Sequence, residues 1–325
     1  MMTLLRKFRF VISAVYMMVF LILNACTPPT AVSLTKTESL RPNTPTSQPT
    51  QTKTTPTKTT RAEEASFTPT LPPSATSTPT PDLRRRYEIW QSWPVYPELS
   101  PEMLAVYQRG QKSGRDAHTF SVIGDCQSSP TYFLNLYDQG LYSLPQDEEY
   151  LQDTIDWYSG SFSHRSITVA NGLTAPGVLN PRWSDPNQCR KQEKPIDCEI
   201  RLHNPSVVLI SLGTNWHPSL SHAQYLDYLY QIIEKLLEED IVPVLSTKAD
   251  NVEGDHGRNL AMAQAAYEYR LPLWNFWATV QDLPNGGLDK TRNNEYLTRK
   301  GWDVRNLSAL KLLDQIHRQL NDNQE

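Results

Sequence analysis

The chain lacks the charge imbalance on which nucleic-acid binding depends. It carries 31 Lys and Arg against 35 Asp and Glu, for a net charge of −4. No basic face follows from that balance, and nucleic acid is excluded as a general partner. There is no Cys-x-x-Cys pair, no glycine-rich phosphate loop and no internal repeat, so no metal and no cofactor is expected. One apolar run, Val11 to Leu23, stands out, and it is too short for a membrane-spanning helix. Cysteine is scarce: the 325 residues contain four.

What is present falls into three unlike pieces. Residues 1–26 read as an export signal, with Arg6, Lys7 and Arg9 ahead of the apolar run. The run ends in Leu23-Asn24-Ala25-Cys26, which resembles a bacterial lipobox. Acylation of Cys26 is the expected consequence, and two or three acyl chains hold a protein stably at a membrane. The expected location is therefore extracytoplasmic, lipid-anchored to the cell membrane or cell surface. Residues 27–85 form the second piece. From Thr27 to Pro81, 35 of 55 residues are Thr, Pro or Ser. Such a stretch buries too little apolar surface to offset its ordering entropy and is expected to be a disordered tether. Residues 86–325 are long enough for one sizeable domain.

Cys189 and Cys198 flank a polar segment rich in Lys and Glu, and a disulfide between them is expected in an exported protein. Cys126 is then expected to stay unpaired. Within the domain, apolar runs alternate with amphipathic periods. Strands are expected at Thr119 to Gly124, Ser166 to Ala170, Ser206 to Leu212, Ile241 to Ser246 and Leu271 to Phe276. Helices are expected from Pro101, over Asp147 to Tyr158, Ser221 to Asp240 and Arg258 to Arg270, and within Leu297 to Leu320. This alternation predicts an α/β fold with a mostly parallel sheet between helices, whose ligands sit beyond the carboxyl ends of the strands.

The residues at those ends are Gly124-Asp125-Cys126, then Gly172, then Gly213-Thr214-Asn215-Trp216, and finally Asn293 to Thr298 followed by Gly301. In that order they resemble the four sequence blocks of the SGNH, or GDSL, hydrolase family. The resemblance implies a three-layer fold with a five-stranded parallel sheet. It also implies a Ser nucleophile, a His base, an Asp that orients the His, and an oxyanion hole completed by a Gly and an Asn. Here Cys126 stands at the Ser position, Asn293 at the Asp and Tyr296 at the His, while Gly172 and Asn215 keep the oxyanion positions. A phenol with an ordinary pKa near 10 is protonated at neutral pH and makes a poor base. His256, beside Asp255 and near Asp250, is the first candidate for a relocated base, and His217 the second. His118, His164, His203, His222 and His317 are expected to be structural or at the surface. The oxygen-rich loop from Thr247 to His256 matches no calcium-binding spacing. Trp183, Trp216, Trp274, Trp277 and Trp302 are expected mostly in the core, with Trp216 lining the cleft. Three functions compete: hydrolysis of an ester, such as an acyl group on polysaccharide; binding of a glycan or ester ligand without cleavage; and, least specific, a structural surface protein displayed on a stalk.

Overall fold

The computed structural model describes residues 86–215 and 221–322. The lipobox, the Thr/Pro tract and the pair Trp216 and His217 lie outside the described residues.

Consecutive apolar residues, unrelieved by polar alternation, make strands that are covered on both faces. The four strands here follow that rule. They are β1 (Asp116–Gly124), β2 (Pro205–Ser211), β3 (Val242–Ser246) and β4 (Leu273–Trp274), all parallel and in the order β1-β2-β3-β4. Val122 pairs with Leu209, and Leu209 with Val244, so the strand ends stay level. Val207, Val208, Leu209 and Ile210 are all buried, which requires helices on either side of the sheet.

The helices are α1 (Pro101–Ser113), α2 (Leu151–Trp157), α3 (Ala175–Val178), α4 (Pro195–His203), α5 (His222–Glu238), α6 (Gly257–Tyr269), α7 (Phe276–Thr279) and α8 (Arg299–Asp322). Local chemistry sets where several begin. Ser100 accepts from Met103 N at the start of α1, with Pro101 in the first turn. Ser221 and Gln224 form a reciprocal capping box that opens α5. The stripe Tyr225, Leu229, Ile232, Ile233 and Leu236 buries the inner face of α5. Helix α6 packs against α5, and α8 packs against α2 and α7.

Among the described residues the sheet has four strands where five were expected. Residues Ser166 to Ala170 run beside β1 but touch it through a single parallel bridge, Gly124 to Val169. Side chains take the place of the ladder. Ser166 Oγ accepts from Val122 N at 3.2 Å, and Thr168 Oγ1 donates to the carbonyl of Val122 at 2.7 Å. The N–H of Ile167 turns away to the buried carboxylate of Glu199, at 2.7 Å. The polar residues of this segment thus satisfy the edge of β1 without forming a strand.

The expected bridge between Cys189 and Cys198 is present, with Cα atoms 5.4 Å apart. Arg201 grips Glu193 inside the closed loop at 2.7 Å through both Nε and an η nitrogen. That fork holds the half-buried Glu193 carboxyl down at a pKa of about 2. Cys126 departs from expectation. It is disulfide-bonded, and no described cysteine is free.

Candidate functional site

The site is built where β1 and β2 end. Asp125 leaves β1 and caps the single 3-10 turn Cys126–Ser128, its Oδ1 accepting from Gln127 N at 2.9 Å. Gly124 is required just before it: a Cβ there would stand 2.3 Å from Ser128 Oγ. Asp125 is buried, and burial pushes its carboxyl up to about 6, against the opposing pull of the Gln127 N–H and Arg305. Arg305 reaches in from α8. It donates to the Gln127 carbonyl at 2.6 Å and to Ser211 Oγ at 3.0 Å, and its guanidinium lies 4.2 Å over the ring of Phe133. Burial lowers its pKa to about 10. One cation thereby ties the end of β1 to the end of β2.

Beyond β2, Gly213 turns with φ 125°, a conformation that side chains strain to adopt. Thr214 Oγ1 then donates to Asp250 Oδ2 at 2.8 Å. Asp250 is held in turn by Lys248 at 2.6 Å, and Lys248 also pairs with Glu253 at 2.6 Å. All three charged side chains are buried. Two of the three carboxylates that made this loop look oxygen-rich in sequence, Asp250 and Glu253, are engaged by Lys248. The cluster anchors the residue before Asn215.

Asn215 sits at the edge of a cleft of about 620 Å³. Cys126, His222, Glu253, Arg258 and Tyr296 line the same cleft. The Nδ2 of Asn215 is buried and donates to no described residue. A buried donor without an acceptor costs about 1–3 kcal/mol, so its retention points to a ligand oxygen.

The positions expected to supply a base behave differently. Tyr296 lines the cleft, but Arg292 lies 3.4 Å over its ring and burial raises its hydroxyl pKa. It is a donor at neutral pH. Asn293 is exposed, in a left-handed conformation with φ 56°, and is not part of the cleft lining. Gly172 also turns with positive φ but lies outside that lining, next to Trp183. His256 is not part of the cleft lining. Its ring packs against Trp90 and Trp277, with centroids 5.9 Å from each, and its buried Nδ1 bonds to no described residue. The relocated base expected at His256 is therefore not assembled: two tryptophans hold the ring in an aromatic cluster. Of the other tryptophans, Trp274 is core, Trp302 stacks on Tyr132, and Trp183 is 40% exposed.

Asp255, the expected orienter of His256, serves another histidine. His222 Nε2 meets Asp255 Oδ2 at 3.1 Å, and His222 lines the cleft. His222 is the first residue of α5, and Asp255 lies two residues before the start of α6. Nothing in the sequence couples positions 222 and 255, because the pairing arises only where α5 packs on α6. The one local signal is Gly257. A Cβ there would lie 1.5 Å from His222 Cε1, so the imidazole needs a glycine beneath it.

No protein-family model matches the chain, and no curated protein matches it either. Among solved structures it is similar to a GDSL-like lipase from Bacteroides thetaiotaomicron, at 12% identity and a TM-score of 0.40, over 66% of this chain and 99% of that one. It is similar also to a psychrotrophic esterase from a Pseudoalteromonas species, at 17% identity and a TM-score of 0.42, over 63% of this chain and 99% of the other. A lipase/acylhydrolase from Enterococcus faecalis is similar at 16% identity and a TM-score of 0.36, over 61% and 95% of the two chains. What the cleft can do follows from its own residues.

Proposed function

We propose that this chain is a lipid-anchored, extracytoplasmic protein of the SGNH, or GDSL, type whose cleft takes the carbonyl oxygen of an acyl ester, carried on a glycan or a small molecule. The observation that carries this reading is Asn215 Nδ2, a buried amide donor at the cleft with no acceptor among the described residues. A neutral amide on a fixed loop suits a carbonyl oxygen, and suits still better the negative charge that oxygen gains on attack. The lipobox-like end at Cys26 and the Thr/Pro tract behind it support display outside the cytoplasm.

Cleavage through the family's triad positions has little support. Tyr296 is a raised phenol under Arg292, and Asn293 is exposed. Binding is the reading those two residues favour. Hydrolysis is favoured by one separate observation, the His222–Asp255 pair in the same cleft.

Calorimetric titration of the detergent-solubilised protein with an O-acetylated oligosaccharide tests the binding. The acetylated sugar is expected to bind, and its deacetylated counterpart to bind more weakly. Asn215→Ala should weaken binding of the acetylated sugar about tenfold, the equivalent of one hydrogen bond. Equal affinity of wild type and variant would remove Asn215 from the reading.

A further inference from the structure

We propose that His222, oriented by Asp255, is the general base of this cleft, and that it activates a water molecule against the ester carbonyl held by Asn215. The inference rests on the reading above that the cleft takes an acyl ester.

Three features place His222 in this role. It lines the cleft that holds the Asn215 amide. Its Nε2 lies 3.1 Å from Asp255 Oδ2, so a neutral ring donates there and keeps its lone pair on Nδ1. Asp255 is itself fixed, because its Oδ1 accepts from Gly257 N at 2.9 Å, at the start of α6. That backbone N–H is the leading cause that holds the Asp255 carboxyl below its ordinary pKa, with the charges of His222 and Arg258 adding to it. The side chains of the pair are 44% and 61% exposed, and an ion pair so open to water contributes little to stability. Orientation of the ring is what the pairing secures. Gly257 completes the arrangement, since any larger residue would occupy the volume of the imidazole.

The reaction balances with water as the only co-reactant. The water oxygen bonds to the carbonyl carbon while its proton passes to His222 Nδ1. The carbonyl π pair moves onto oxygen, where Asn215 Nδ2 donates to it. On collapse the carbon–oxygen bond to the alcohol breaks, and the proton on His222 passes to the leaving alkoxide. A carboxylic acid and an alcohol depart, His222 is neutral again, and Asp255 remains ionised throughout. The step asks nothing of Cys126, and the cleft has room for an ester and a water together.

Hydrolysis of an aryl acetate by the full-length protein, with binding of the acetylated oligosaccharide measured in parallel, tests the assignment. Wild type should hydrolyse the ester. His222→Ala should lose roughly 10²–10⁴-fold in kcat/KM, the usual contribution of a general base, while sugar binding persists. Added imidazole should restore part of the lost rate, which a purely structural role would not allow. Asp255→Asn should lower kcat with KM little changed, because the ring loses the carboxylate that orients it. Glu253, Arg258, Asp125 and Glu295 also line the cleft and remain unchanged in that variant. Unaltered hydrolysis in His222→Ala with binding intact overturns the base assignment alone. Hydrolysis abolished by thiol alkylation, under mild reduction, overturns water as the nucleophile. Absence of both binding and hydrolysis in wild type overturns the reading of the cleft itself.

Discussion

The imidazole of His222 lies directly across the α-carbon of Gly257, so close that a Cβ at Gly257 would stand 1.5 Å from Cε1 and 1.7 Å from Nδ1. The contact joins the first residue of α5 to the first residue of α6. It explains why the cleft has a histidine at a position that its sequence neighbours do not announce.

Replacement of that glycine separates function from stability. Gly257 opens a helix without positive φ, so Ala fits its backbone and is favoured in a helix by up to about 1 kcal/mol. Gly257→Ala is expected to keep its melting temperature within a few degrees of wild type while its ester hydrolysis drops at least tenfold. Thermal unfolding followed by circular dichroism, with rates on the same preparation, checks both. A variant that retains full activity would show that the ring has no need of its seat.

The buried cluster beneath Asn215 predicts the opposite balance. Lys248 pairs with both Asp250 and Glu253, and all three side chains are at most 8% exposed. Lys248→Met leaves two buried carboxylates without that partner, and breaking such a cluster costs about 3–5 kcal/mol. The midpoint of urea unfolding is expected to fall accordingly, and binding at Asn215 to weaken with it because Thr214 loses its anchored acceptor. A midpoint within error of wild type would contradict the cluster's role.

Asp125 predicts a pH dependence of stability. Its folded pKa, about 6, lies above the ordinary 3.8, so the folded state binds the proton more tightly than the unfolded chain does. Its contribution is therefore fully present below pH 3.8 and is lost as pH rises through 6. A shift of this size corresponds to about 3 kcal/mol at neutral pH. Asp125→Asn keeps an oxygen acceptor for Gln127 N and removes the buried charge, so it should stabilise the fold at pH 7 and flatten the decline between pH 4 and 6. Unfolding midpoints across that range in both proteins decide the matter; a less stable variant at pH 7 would contradict the cause assigned to the shift.

At the N-terminus, the mature protein is expected to partition into detergent with acylated Cys26, and Cys26→Ser to block that processing. The chain has four cysteines and two of them bridge each other. Acylation of Cys26 and an intrachain disulfide between Cys26 and Cys126 therefore exclude one another. Peptide mapping of the unreduced mature protein identifies what each sulfur carries. A Cys26–Cys126 bond there would overturn the lipid anchor.

Alternating apolar and amphipathic runs determined the α/β class, and Ser100-Pro101 and Ser221 marked helix starts that the structure keeps. Gly124-Asp125 and Gly213-Thr214-Asn215 were legible at the ends of β1 and β2, because strand ends in a parallel sheet converge by topology. The segment from Ser166 to Ala170 misled, since its strand-like spacing says nothing of Ser166 and Thr168 replacing the ladder with hydroxyls. The base was the other point beyond reach. Asp255 precedes His256 in sequence, and adjacency suggested that pair. Only the packing of α5 on α6 turns Asp255 to His222, while Trp90 and Trp277 take His256 into an aromatic cluster. Local periodicity fixes which elements form; which side chains meet depends on contacts between residues far apart in the chain, and those exist only once the helices have docked.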